Sequence, residues 1–263
     1  MNIFEALFLG ILQGITEFLP VSSSGHLVLA EYFLGIKGTS LAFDVTLHMG
    51  TLLAVLAFFY RDWTGMLCAL LPGIRHEKDR NMLLYLVAGT VPGAVAGFLL
   101  EHAVSTYLRS PWVVVCTLGG VAVLLGLAEK MARHRRGFSA IWMSDALLIG
   151  ISQALAVIPG VSRSGITMTC GLFLGLDREA AARFSFLLSA PIIAGAGFYE
   201  GLKLVKAGGA DLNLNFLWGF IASAVSGYLV IAFLMNYLKT HTFYPFVIYR
   251  LLVAAVVAAV LVL

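Results

Sequence analysis

Two short stretches hold most of the residues of this chain that could do chemistry. In QGITEFLPVSSSGH, Gln13 and Glu17 stand four apart and share one face of a helix. Pro20 stops that helix, and Ser22, Ser23, Ser24, Gly25 and His26 follow. In PGVSRSGIT, Pro159 and Gly160 precede Ser162, Arg163, Ser164, Gly165 and Thr167. Carboxylate, hydroxyls, imidazole and guanidinium together make an inventory for phosphate chemistry. A guanidinium fork matches phosphate oxygens, a serine or histidine can attack phosphorus, and a histidine can move a proton or activate water. Serine turns that open helices also leave N–H groups facing outward, a ready phosphate site.

Each residue has a plainer reading. Ser23 or Ser24 serves as an N-cap, His26 as a hydrogen-bonded interior residue, and Glu17 with Arg163 as an ion pair that joins two elements without a ligand. Asp44, His48, Glu200 and Arg250 lie within or beside apolar segments and read as boundary residues or passive lining. The basic run Arg133 to Arg136 reads as a solvated loop, and glycines such as Gly119, Gly120 and Gly126 as helix-packing residues.

The two stretches are copies of one another. Gly10, Ile11, Gln13, Val21, Ser22, Ser24 and Gly25 recur 140 residues later as Gly150, Ile151, Gln153, Val161, Ser162, Ser164 and Gly165. The copies differ where chemistry resides: Glu17 and His26 face Val157 and Ile166, and Arg163 faces Ser23. A site completed across both copies would join base, hydroxyls and anion clamp.

The elements that must position these residues lie in a membrane. The chain is 60% hydrophobic and 12% charged with mean hydropathy +0.94, against roughly 25% charged in soluble domains. Its apolar stretches approach the ~20 residues of a spanning helix and lack a barrel's alternation. The expected class is an all-α integral membrane protein forming a single membrane domain over 1–263, with internal repeats at about 1–131 and 141–263. The start, MNIFEALFLG, lacks a basic region and a cleavage site, so the first segment is expected to be retained. Cys68, Cys116 and Cys170 are scattered and suggest neither disulfides nor a metal cluster, and the +3 net charge does not indicate a nucleic-acid partner.

About six transmembrane helices are predicted, near 41–60, 81–100, 111–131, 178–200, 214–236 and 245–263. The segments 3–19 and His26 to Gly35, and then 141–158 and Gly165 to Gly175, are too short or too broken to span and read as two re-entrant helical hairpins. One hairpin and three spans per copy is an odd number of crossings, which turns the second copy upside down: an inverted-topology repeat. Arg61, Arg75, Lys78, Arg80, Lys130, Arg133, Arg135, Arg136, Arg178 and Lys239 fall at one set of ends, against Arg109, Lys203 and Lys206 at the other. The first set is expected to be cytoplasmic, with both chain ends outside.

The motifs resemble the two signature regions of the undecaprenyl pyrophosphate phosphatase, or bacitracin-resistance, family. Gln13 and Glu17 fit its (E/Q)xxxE pattern; Pro159, Gly160, Ser162, Arg163, Ser164 and Thr167 fit PGxSRSxxT. ARFSFLLSAP and YPFVIYR extend the likeness over nearly the whole chain. The resemblance implies an enzyme of the bacterial cytoplasmic membrane, a homodimer with its site open to the outer face, that removes the terminal phosphate of a polyprenyl pyrophosphate lipid. The carrier for peptidoglycan synthesis is thereby recycled, with bacitracin resistance as a consequence. It also implies a divalent cation, Mg or Ca, held by Glu17 and substrate phosphates; Gln13 stands where a second carboxylate is common.

On this reading Glu17, Ser23, His26 and Arg163 are catalytic, and Gln13, Ser22, Ser24, Gly25, Ser162, Ser164 and Thr167 bind substrate. The residues leave open whether Ser23 or His26 attacks phosphorus or His26 activates water; Ser23 as nucleophile with His26 as base is preferred. The rival class is a secondary transporter or a lipid-phosphate flippase with a mid-membrane anion site, which shares broken helices but needs no nucleophile.

Overall fold

The structure is a computed structural model that describes residues 2–34, 41–72, 77–103, 107–108, 110–206 and 214–262. Its α-helices are α1 (Ile3–Phe18), α2 (Ser23–Leu34), α3 (Leu41–Phe58), α4 (Tyr60–Cys68), α5 (Glu77–Ala103), α6 (Pro111–Met131), α7 (Met143–Ala154), α8 (Arg163–Phe173), α9 (Arg178–Lys206), α10 (Leu214–Tyr237) and α11 (Tyr244–Val262). No strand occurs among the described residues beyond one isolated bridge between Arg136 and Leu176. The chain is an all-α integral membrane protein. Arg75, Arg109 and Gly35, used in the sequence reading, lie outside the described residues.

Among the described residues five helices, α5, α6, α9, α10 and α11, are long and apolar enough to cross a bilayer. The predicted span at 41–60 differs: α3 passes the same test only together with α4, from which it is bent by 74°. Asp62 and Arg61 explain the turn, because α4 carries charge that favours the surface over continued descent into hydrocarbon. Large apolar side chains such as Phe4, Phe98, Leu99 and Val262 are exposed, as a lipid-facing surface requires.

The two hairpins form as their sequences dictate. An Asn2–Glu5 capping box starts α1, and the chain turns extended at Leu19, where the following Pro20 disfavours helix. α7 tightens into a 3-10 turn at Leu155–Val157 and stops before Pro159. Each first arm seats on a long helix through a glycine equivalent in the repeat. A Cβ on Gly10 would collide with the Gly219 backbone of α10, and one on Gly150 with the Gly89 backbone of α5. Close backbone contact of this kind is how helices associate without a hydrophobic drive. Gly119 and Gly120, read from sequence as packing residues, instead face open space.

Contacts along the arms give their directions. Gly10 lies by Gly219 and Phe18 by Gly227, so α1 runs beside α10 and ends level with its middle. Gly89 lies by Ala146 and Gly93 by Gln153, so α7 runs beside α5. Ion pairs gather at the end of the bundle where α5 and α9 begin: Arg136–Asp145, Arg178–Glu129 and Arg183–Asp62, each at 2.5 Å. α7 starts at this basic end, and α1 starts at the other, where α3 and α10 begin.

Candidate active site

The hairpin tips repeat one local geometry. Ser22 and Ser162 adopt left-handed backbone (φ 80 and 73), a conformation that costs a non-glycine residue roughly 1–3 kcal/mol. Their hydroxyls then accept from the amides of Gly25 (3.2 Å) and Gly165 (3.0 Å), and each stands by a second hydroxyl, Ser24 at 3.4 Å or Ser164 at 3.2 Å. Strain in both turns is thus compensated by a cap that opens α2 or α8 inside the protein. The tips touch: a Cβ on Gly25 would meet the Gly160 Cα at 3.2 Å, and Ser164 donates to the Leu19 carbonyl at 3.0 Å.

At this junction the acidic copy meets the basic one. Arg163 donates from Nη2 to Glu17 Oε1 at 2.8 Å and from Nη1 to the Ser185 carbonyl at 3.0 Å. Ser23 donates to Glu17 Oε2 at 2.7 Å, and Gln13 Nε2 donates to the same oxygen at 3.1 Å. Glu17 is therefore the hub of the site, and it is buried with Gln13. His48 Nε2 stands 3.9 Å from Glu17 Oε2. One unused acceptor remains here: Gln13 Oε1 is buried and has no hydrogen-bond partner among the described residues.

His26 is placed differently from the preferred reading, in which it served Ser23 as base. Its Nδ1 lies 2.7 Å from the Ser22 carbonyl, so Nδ1 carries the proton, and its Nε2 accepts from the Tyr249 hydroxyl at 2.7 Å. The reason is helical geometry. Ser23 and His26 both lie in the first turn of α2, but the imidazole folds back on its own turn and across to α11. Several residues expected to bind substrate have their hydroxyls committed to the fold instead. Thr167 donates to the Arg163 carbonyl and stands 2.7 Å from the Ser185 hydroxyl; Ser22 and Ser162 cap; Ser164 holds Leu19. Ser24 is exposed and Ser23 half-buried.

Arg250, read as passive lining, is the organiser of both breaks. Wholly buried, it donates to the carbonyls of Pro20 (3.0 Å), Gly160 (2.9 Å), Val161 (3.2 Å), Leu118 (3.1 Å) and Thr117 (3.3 Å). Proline and the non-helical turns free the carbonyls of Pro20, Gly160 and Val161, which in a membrane a protein donor must satisfy. Those of Thr117 and Leu118 lie mid-helix in α6 and tie the guanidinium to it. The signal in the sequence was a guanidinium inside the apolar YPFVIYRLLVAA run. Nothing comparable marked Tyr249.

A cavity of about 520 Å³ adjoins the ion pair between α5 and α9. Arg163 and Gln153 lie in its wall, Thr90 and Ile192 flank it, and Phe98 and Tyr199 line it toward the end opposite the basic cluster. Pro92 and Pro191, each inside its helix, mark the same level. Among the described residues no three or more His, Cys, Asp or Glu side chains are grouped so that they could by themselves hold a metal ion.

The sequence agrees with known proteins over its whole length. The family model described as Bacitracin resistance protein BacA matches residues 6–256. An undecaprenyl-diphosphatase of Rubrobacter xylanophilus is 47% identical, with 100% of both chains covered. Those of Pelotomaculum thermopropionicum (48%, covering 95% of this chain and 94% of the relative) and Moorella thermoacetica (45%, 99% and 98%) are similarly close. With a buried carboxylate joined to a half-buried serine and to a guanidinium from the other hairpin, and a family match over nearly every residue, the chain belongs to the BacA family of bacitracin resistance proteins.

Proposed function

We infer that this protein is an undecaprenyl-diphosphatase: it hydrolyses undecaprenyl pyrophosphate to undecaprenyl phosphate and inorganic phosphate. The activity recycles the lipid carrier of peptidoglycan synthesis and so gives bacitracin resistance. Family membership supports the reaction class, and one observation carries the mechanism: the Ser23 hydroxyl donates to Glu17, which is itself held by Arg163 from the other hairpin. A transporter or flippase needs an anion site but no hydroxyl paired with a carboxylate.

Ser23 Oγ attacks the terminal phosphorus and its proton passes to Glu17 Oε2; the bond to the bridging oxygen breaks and undecaprenyl phosphate leaves. Water then displaces the serine oxygen from phosphorus, releasing inorganic phosphate, and Glu17 returns the proton to Ser23. Arg163 turns from Glu17 toward the phosphoryl oxygens, which both stabilises the charge building there and frees the carboxylate for its proton. The amides of Ser23 and Ser24, first-turn donors that no intrahelical carbonyl can reach, face the same phosphate. His26, set by Ser22 and Tyr249 beside the turn, serves the water of the second step when that water takes the place of the Tyr249 hydroxyl at Nε2.

The residues present fit a divalent cation: Glu17 offers a carboxylate, and Gln13 Oε1 is a buried acceptor without a partner. One carboxylate, a carbonyl oxygen and substrate phosphates suit magnesium or calcium. When bound, the ion would offset phosphate charge. The isoprenoid tail lies in the groove between α5 and α9, which opens away from the basic end. By the positive-inside bias that end is cytoplasmic, so the site faces the outer side of the cytoplasmic membrane. The opposed directions of α1 and α7 support two inverted copies, 1–131 and 141–263, and the family likeness supports a homodimer. Phosphate release from undecaprenyl pyrophosphate by the purified protein in detergent tests the reading. No release, with Arg163 and its alanine variant equally inactive, would overturn it.

A further inference from the structure

The repeat assigns a use to Gln13 but leaves its counterpart unexplained. Gln13 holds Glu17 by its amide, whereas the position equivalent to Glu17 in the second copy is Val157, so Gln153 has no carboxylate to hold. It is nonetheless 3% exposed, and neither its Nε2 nor its Oε1 has a hydrogen-bond partner among the described residues. A wholly unpaired buried amide is costly and rare in native proteins. It stays in place where a ligand completes it.

Its surroundings say which ligand. Gln153 lies in the wall of the α5–α9 cavity together with Arg163. Gly93 of α5 makes the room for it: a Cβ there would stand 2.8 Å from Gln153 Nε2 and 3.2 Å from its Cγ. Beyond the amide the wall is mostly apolar, with Ala94, Phe98, Ile192 and Ala196, and accepts a hydrocarbon stem, while Tyr199 and Glu200 stand at its far end. A lipid pyrophosphate whose terminal phosphate reaches Arg163 and Ser23 while its tail fills this groove must pass its lipid-side phosphate by Gln153.

We propose that Gln153 is a substrate-binding residue that donates from Nε2 to the lipid-side phosphate, the leaving group of the reaction. This rests on the phosphatase reading. As the bond to the bridging oxygen breaks, negative charge moves onto that phosphate, and a preplaced N–H in a dry site stabilises it. Being neutral, the amide does so without the Coulomb attraction by which a lysine would retain the monophosphate product.

The test compares wild type with Gln153→Met, which keeps the volume and removes both unpaired groups, and with Gly93→Ala, which crowds the amide from the other side. Thermal unfolding in detergent should be unchanged or raised for Gln153→Met, since removing both buried polar groups relieves a cost. Its kcat/KM for undecaprenyl pyrophosphate should fall about tenfold or more, the worth of one hydrogen bond to a charged group. Protection of the protein against heat by added undecaprenyl phosphate should weaken in both variants, while protection by inorganic phosphate stays as in wild type. Wild-type kcat/KM and undecaprenyl phosphate protection in Gln153→Met would overturn the proposal, as would loss of activity accompanied by equal loss of thermal stability with Gly93→Ala fully active. The protection measurements need no turnover. If wild type releases no phosphate, the phosphatase reading fails, while the protection by undecaprenyl phosphate still decides whether Gln153 binds it.

Discussion

Glu17 and Arg163 stand 146 residues apart in the chain and 2.8 Å apart in the protein, each supplied by a different broken helix. The contact does two things. It neutralises a carboxylate and a guanidinium that would each be expensive inside a membrane, and it stores the anion clamp beside the nucleophile until phosphate arrives. Arg163→Lys keeps the charge but loses the fork. Turnover of undecaprenyl pyrophosphate should fall by about 100-fold while the protein still inserts and purifies. Near-normal turnover would remove the guanidinium from the mechanism.

Arg250 acts on the same junction from beneath, through carbonyls of both turns. Arg250→Met leaves those carbonyls without donors in a dry interior, so thermal stability in detergent should drop by about 3 kcal/mol or more, with activity falling alongside. An unchanged unfolding midpoint would mean that the turns hold themselves.

Gly14 admits α1 to α10, with a Cβ there standing 2.6 Å from the Ser223 carbonyl oxygen. Gly14→Val should destabilise by about 1–3 kcal/mol and reduce activity by shifting Glu17, three residues on. Gly120→Val, in open space, should change neither. Equal effects of the two would show that close packing of α1 does not position the site.

Much of this was legible in the sequence because both periodicity and burial cost leave marks there. The hairpin breaks follow from Pro20 and Pro159, and the pairing of the two tips from the repeat that leaves Glu17 in one copy and Arg163 in the other. The bend after Phe58 was not legible, because it depends on charges in α4 that by themselves fit a loop equally well. Nor was the direction of His26: Ser23 and His26 are three apart, which permits contact on a helix, but rotamer and the Tyr249 hydroxyl decide otherwise. Arg250 was visible as an intramembrane charge, yet the carbonyls it serves come from three distant segments that only the fold assembles.

The orientation is open to direct labelling. In a background lacking Cys68, Cys116 and Cys170, a cysteine after Leu263 should react with an impermeant thiol reagent on intact cells, and Arg135→Cys should not. The reverse pattern would place the α5–α9 groove on the cytoplasmic side.

The most direct measurement is the rate of phosphate release from undecaprenyl pyrophosphate by the purified Ser23→Ala protein in detergent. With Ser23 as nucleophile and Glu17 as its base, the rate should fall by roughly 10³-fold or more, and Glu17→Gln should bring it equally low, because residues that act as one unit do not add. A Ser23→Ala protein that retains a rate within about tenfold of wild type would contradict the mechanism, since no loss of a covalent nucleophile is that mild.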